Sequence, residues 1–116
     1  IFVNKELGMD KGKIASQVGH VVQHIVEDIF VNYTDGVKSY KSIYEDYMIW
    51  TRYHNSVKIV LKATLQELEE FKTMSYAKYI IDAGKTQIEP NSLTVVAFYP
   101  MNCKKIKHNL TRFKLL

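Results

Sequence analysis

Apolar residues recur at helical spacing from Ile14 through Val18, Val21, Val22 and Ile25 to Ile29, which predicts an amphipathic helix with one face in a core. Asp10 is its N-cap, and the helix should end near Asn32 to Gly36, where Asn, Thr, Asp and Gly cluster. Ile1 to Val3 reads as a short strand feeding it. Tyr40, Ile43, Tyr44, Tyr47 and Trp50 repeat at three and four and mark a second helix with an aromatic face, broken at His54-Asn55-Ser56. Val57 to Ala63 alternates as a strand with Val57, Ile59 and Leu61 on one side. Thr64 and Glu67 form a capping box, so a third helix should run from Leu65 to about Ala77. Tyr79 to Asp82 reads as a short buried strand, Leu93 to Phe98 as another, and Pro90-Asn91 turns the chain between them into an antiparallel pair. After Pro100 a short helix is expected over Cys103 to His108.

This order predicts an α/β fold, a three-layer sandwich in which helices flank a small mixed four-stranded sheet. At 116 residues, with 47% hydrophobic and 24% charged positions, the chain has the length and composition of one globular domain covering 1–116. No run of eighteen apolar residues and no signal-peptide pattern is present, so a soluble cytoplasmic protein without membrane contact is expected. The single cysteine, Cys103, permits no internal disulfide and has no second ligand at zinc spacing; it reads as a small apolar filler.

Charge changes the picture at both ends of the chain. Net charge is +4, and Lys104, Lys105, Lys107, Arg112 and Lys114 follow Met101 without an acidic residue between them. Such a tail is either a solubilising face or a phosphate contact. Near the other end, Lys11 and Lys13 occupy the first helical turn, where the helix dipole disfavours cations. Steps of four, three and four from Lys13 reach Gln17, His20 and His24, a polar stripe beside the apolar one. On periodicity alone these lysines are as readily solvated as they are part of an anion site. The tyrosine stripe of the second helix is equally open to two readings, base stacking or packing, with packing the commoner.

Two runs narrow the choice. Leu7 to His20, LGMDKGKIASQVGH, resembles the opening motif of the type II peptidyl-tRNA hydrolases of archaea and eukaryotes, and Asp82 to Pro90, DAGKTQIEP, resembles the second signature of the same family. The resemblance spans essentially the whole chain. It implies hydrolysis of the ester in peptidyl-tRNA by an activated water, with tRNA as partner, no cofactor and no metal, and a possible homodimer. By matching positions it implies Lys13, Gln17, Asp82, Thr86 and His20 as catalytic candidates, with Gln87 in support. Lys11, Lys85, Lys104, Lys105 and Lys107 are the candidates for tRNA contact. The chemistry suits these residue types: ester hydrolysis needs a water that yields a proton and a donor or cation for the oxyanion. The alternative is a catalytically inactive tRNA- or protein-binding module on the same fold.

Other chemistries lose support. Gly84-Lys85-Thr86 looks like the end of a phosphate-binding P-loop, but the glycine required five positions earlier is Tyr79, and after Gly12-Lys13 stands Ile14 instead of Ser or Thr. No serine or cysteine sits in the context of a nucleophilic triad. Departures from the family pattern stand at Asn4 (usually Arg), Asp10, Asn91, Tyr99 (usually Gly) and Arg112. Asn4 should weaken phosphate binding, and Tyr99 should crowd the end of the sheet.

Overall fold

The structure is a computed structural model, and it describes residues 1–84, 88–106 and 109–116. Its strands and helices follow in the order β1 (Phe2–Asn4), α1 (Lys11–Thr34), α2 (Tyr40–Tyr53), β2 (Leu61–Ala63), α3 (Leu65–Lys72), β3 (Ala77–Asp82) and β4 (Ser92–Phe98). The sheet order is β2-β1-β4-β3, with β1 parallel to β2 and both other pairings antiparallel. The mixed four-stranded sheet expected from the pattern is therefore present.

Side chains alternate across the sheet and fill two cores. On one face Val3, Val95 and Ala97 meet Val21, Ile25 and Ile29 of α1, the periodic residues that predicted the helix. On the other face Phe2, Leu93 and Val96 meet Leu68 and Phe71 of α3. There the rings of Phe2 and Phe71 lie 4.6 Å apart, and Phe98 and Phe113 each stand 5.2 Å from Phe2, edge-on. Helices α1 and α2 thus form one outer layer and α3 the other. The tyrosine stripe of α2 is occupied in this packing: Tyr44 stacks on Tyr33 of α1 at 3.9 Å, and Tyr47 meets Phe30 edge-on at 5.6 Å.

Several boundaries differ from the sequence reading. The capping box of α3 forms as predicted, yet the helix ends at Lys72 instead of near Ala77. Ala77 pairs with Phe98 in the sheet, and ladder hydrogen bonds outweigh the modest helix preference of Thr73 to Tyr76. The strand over Val57 to Ala63 shortens to Leu61–Ala63, the part facing β1; Val57 and Ile59 stay about 60% exposed, because no layer covers them. β3 is an edge strand with only Ile80 buried, not a buried strand. In place of one terminal helix there are single 3-10 turns at Cys103–Lys105 and Leu110–Arg112, and part of the segment read as helix (Lys107, His108) lies outside the described residues.

Tyr99 does not crowd the sheet end. It is 4% exposed in the α1 core, and its hydroxyl donates to Asp28 of α1, which also accepts from the Tyr40 hydroxyl of α2 at 2.6 Å. Burial would raise the Asp28 pKa, but the two phenols and Lys78, 3.4 Å away, outweigh it and hold the carboxyl below its ordinary range. One carboxylate thereby ties α1, α2 and the sheet together. Replacing Tyr99 by Phe removes one charge-assisted hydrogen bond from a carboxylate that keeps other donors, so urea unfolding should show a loss of about 1–2 kcal/mol.

Candidate active site

The site is built where the first turn of α1 meets the end of the β3–β4 hairpin. Asp10 caps α1, accepting from the Lys13 backbone N–H at 2.8 Å. This fixes the helix start, and the Lys13 side chain crosses to β3, where its ammonium lies 2.7 Å from Asp82 Oδ1. Both side chains are only about a tenth exposed. Two residues sixty-nine apart in sequence therefore form a largely covered ion pair. Gln17, one turn along α1 and 3% exposed, donates from Nε2 to the same Oδ1 at 3.3 Å.

The other carboxylate oxygen is fixed by the backbone. Gly84 N–H donates to Asp82 Oδ2 at 2.7 Å. Gly84 has φ +72, and a Cβ there would stand 2.5 Å from the Pro90 nitrogen. Only glycine fits both that conformation and that close approach. Opposite, the Asn91 N–H donates to the Asp82 carbonyl at 2.8 Å and Asn91 takes φ 64, closing the hairpin. Asn91 thus fills a left-handed position, which asparagine tolerates better than most residues. Hydrogen bonding from Lys13, then the Gly84 N–H, and the Lys13 charge hold the Asp82 pKa below the ordinary carboxylate range against the opposing effect of burial. Asp82 is a carboxylate at neutral pH.

The sequence reading missed Thr94. The β3–β4 register slips between Ile80 and Ile81, so that Ile80 pairs with Val95 and Ile81 with Leu93, and Thr94 is the extra residue of a β-bulge. The bulge turns Thr94 towards α1, where Oγ1 lies 2.7 Å from Gln17 Oε1 and 3.2 Å from the Ile80 carbonyl oxygen. Both are acceptors, so the single hydroxyl proton goes to the nearer. Gln17 Oε1 is thereby committed to Thr94, and its amide nitrogen must face Asp82. Asn4, 3% exposed, donates to the Leu93 carbonyl at 2.9 Å and accepts from Glu6 N–H at 2.9 Å, bracing the same strand. A hydroxyl in an apolar LTVVAF strand was the signal available for Thr94; nothing in the sequence marked the bulge.

Of the catalytic candidates, Lys13, Gln17 and Asp82 come together. His20 is exposed on α1 with its Nε2 3.3 Å from Ser16 Oγ, and among the described residues it forms no hydrogen bond to Lys13, Gln17 or Asp82. Thr86 and Gln87 lie outside the described residues, as do Lys85 and Lys107. Lys11 is exposed at the start of α1, beside the site. Lys104 and Lys105 follow the far end of β4, a sheet length from Asp82, and Lys105 is paired with Asp46 at 2.8 Å. Arg112 is likewise paired, with Glu67. The basic tail is thus less available to phosphates than its composition suggests. A cavity of about 380 Å3 also lies at that far end, between Ile25 of α1, Trp50 and Ala97 to Met101; it is nearly all apolar, and the site chemistry is elsewhere.

Two outcomes follow from this geometry. Because Asp82 titrates lower folded than unfolded, its contribution to stability is complete above about pH 4 and is lost as pH falls through its folded value. Urea midpoints measured from pH 7 to pH 2.5 should fall more steeply in the wild type than in Asp82→Asn. Thr94→Val leaves the buried Gln17 Oε1 without its donor and should cost about 1–3 kcal/mol, whereas Thr94→Ser should restore most of it.

The family model described as "Peptidyl-tRNA hydrolase PTH2" matches residues 1–116. A protein of Sulfurisphaera tokodaii named peptidyl-tRNA hydrolase is 34% identical over 122 aligned positions, covering 100% of this chain and 95% of the relative. One of Thermoplasma acidophilum with the same name is 32% identical with the same coverage, and one of Aeropyrum pernix is 33% identical over 86% of this chain and 80% of its own. With full-length matches of this kind beside both motifs, the chain belongs to the PTH2 peptidyl-tRNA hydrolase family.

Proposed function

We propose that this protein hydrolyses the ester joining a peptide to the 3′ ribose of tRNA, with Lys13, Gln17 and Asp82 as its reaction centre. The observation that carries this reading is the 2.7 Å pair of Lys13 ammonium and Asp82 carboxylate, with each side chain only about a tenth exposed. A water hydrogen-bonded to a remaining lone pair of Asp82 is oriented onto the ester carbonyl carbon. As the water oxygen forms its bond to that carbon, the carbonyl oxygen takes up negative charge and Lys13 neutralises it. The water proton passes to the departing 3′ oxygen as the acyl bond breaks, with Asp82 holding the water in line for the transfer, giving a free carboxylic acid and a ribose hydroxyl.

A carboxylate held at low pKa is a weak base, so Asp82 acts chiefly by orienting water, and most of the rate gain is assigned to the ammonium. Gln17 holds the carboxylate in register and offers a second donor to the oxyanion. Thr86 is proposed from the second motif alone, as a hydroxyl for the same water; His20, exposed and bonded to Ser16, suits contact with tRNA better than proton transfer. Lys11 is placed for a phosphate near the 3′ end, and Lys104 for one further along the acceptor stem. Recognition of that kind follows shape and charge, not base sequence.

Purified protein should deacylate N-acetyl-aminoacyl-tRNA in the presence of a chelator. Asp82→Ala and Lys13→Ala should each lower kcat by about 10²–10³-fold, the range for removal of one preorganised electrostatic group. Circular dichroism and tRNA affinity should change little. Well-folded wild type that binds charged tRNA without releasing peptide would overturn this reading in favour of a binding module.

A further inference from the structure

The two edges of the sheet are treated differently. At β2 the edge is closed by the end of the chain: Lys62 N–H donates to the Lys114 carbonyl at 2.9 Å, Leu116 N–H donates to the Val60 carbonyl at 3.0 Å, and Leu61 bridges Leu115. At β3 no such cover exists among the described residues. The Tyr76 carbonyl accepts from Tyr99 N–H and the Asp82 carbonyl from Asn91 N–H, so even-numbered residues of this strand direct their backbone groups towards β4. Tyr79 and Ile81 direct theirs outwards, whereas the Ala77 N–H is taken by the Met74 carbonyl at 3.2 Å, and Tyr79 and Ile81 are each 44% exposed. Open edges invite pairing with another chain and are normally blunted.

This edge ends at Asp82. We propose that it is the peptide subsite: the peptide of the substrate adds to β3 as a parallel fifth strand, its ester-linked residue beside Asp82 and its upstream residues running back towards Ala77. The inference rests on the Lys13–Asp82 cleft being the site of ester hydrolysis. Main-chain pairing suits a substrate whose side chains vary without limit, because every peptide offers the same N–H and C=O spacing. The direction is forced, since the ester is at the peptide's carboxyl end and β3 runs towards the site. With the ester-linked residue level with Asp82, the third residue counted from the ester lies level with Ile80. In a parallel pair its N–H donates to the Tyr79 carbonyl and its carbonyl accepts from Ile81 N–H. The second residue directs its backbone groups away from β3.

The experiment measures kcat/KM on tRNA carrying N-acetyl peptides of one to five alanines. Activity should rise by at least about fivefold between two and three residues, one net hydrogen bond being about 1 kcal/mol. Replacing the third alanine by lactate, which exchanges its N–H for an oxygen, should cancel about fivefold of the gain, while the same exchange at the second position should change little. Ile81→Pro removes the outward N–H assigned to the third residue's carbonyl, a place that the acetyl carbonyl already takes in the two-residue substrate; it should abolish any gain between one and two residues, keep the gain between two and three, and leave N-acetyl-alanyl-tRNA turnover intact. Equal kcat/KM for all five lengths, with the lactate substrates indistinguishable from the alanine series, overturns the proposal. Should Ile81→Pro also damage the one-residue reaction, the lactate series, which leaves the protein untouched, decides. Failure to cleave any of the substrates would strike the hydrolase reading itself and is distinct from a flat length profile.

Discussion

The ion pair between Lys13 and Asp82 is the contact to which the rest of the architecture is subordinate. An ammonium in the first turn of a helix is unfavourable against the helix dipole, and a carboxylate nine-tenths covered is unfavourable without a partner. Each removes the other's penalty at 2.7 Å. That separation is set far from the pair itself. Val21, Ile25 and Ile29 lock the rotation of α1 on Val3, Val95 and Ala97, and a slip of one residue would turn Lys13 by about 100° away from β3. Asp10 sets where the helix begins, and Gly84 and Asn91 set where the strand ends.

The carboxylate so held has nearly all its acceptor capacity allotted. Oδ1 takes Lys13 and Gln17, Oδ2 takes the Gly84 N–H, and the Gln17 amide is itself oriented by Thr94 at the bulge. Such a group cannot rotate to follow a proton, which argues for an arrangement prepared in advance over a mobile base. The bulge is the means: without the extra residue Thr94 would face α3, and Gln17 would be left with an acceptor directed at an apolar strand.

Much of this was legible in the sequence because the signals were local. The period of Ile14 to Ile29, the Thr64–Glu67 box and the Pro90-Asn91 turn each act through contacts within a few residues, and all three appear as read. The pairing of Lys13 with Asp82 was legible only through motif resemblance, since no local rule links positions sixty-nine residues apart. What could not be read was decided by competition between distant segments. α3 stops early because Ala77 is taken by Phe98; Val57 and Ile59 alternate like a strand and still lie outside the sheet; β3 looked buried and is an edge. Thr94 escaped because a bulge depends on the partner strand as much as on its own residues.

The departures from the family pattern bear on where substrate charge is met. Asn4 has both polar atoms engaged within the fold, to Leu93 and Glu6, and is 3% exposed. A position so enclosed has no polar atom left for a phosphate, so on the proposed function any phosphate contact falls to the neighbouring surface. Of the cations described near the cleft, Lys13 is committed to Asp82, whereas Lys11 stands exposed at the helix entrance. Tyr99, by contrast, replaces a residue with no side chain by one whose hydroxyl is taken up by Asp28 at the opposite end of the sheet. One of these residues is therefore spent on bracing the sheet beside Asp82 and the other on the joint between helices, and neither disturbs the geometry that Thr94 and Gly84 impose on Gln17 and Asp82.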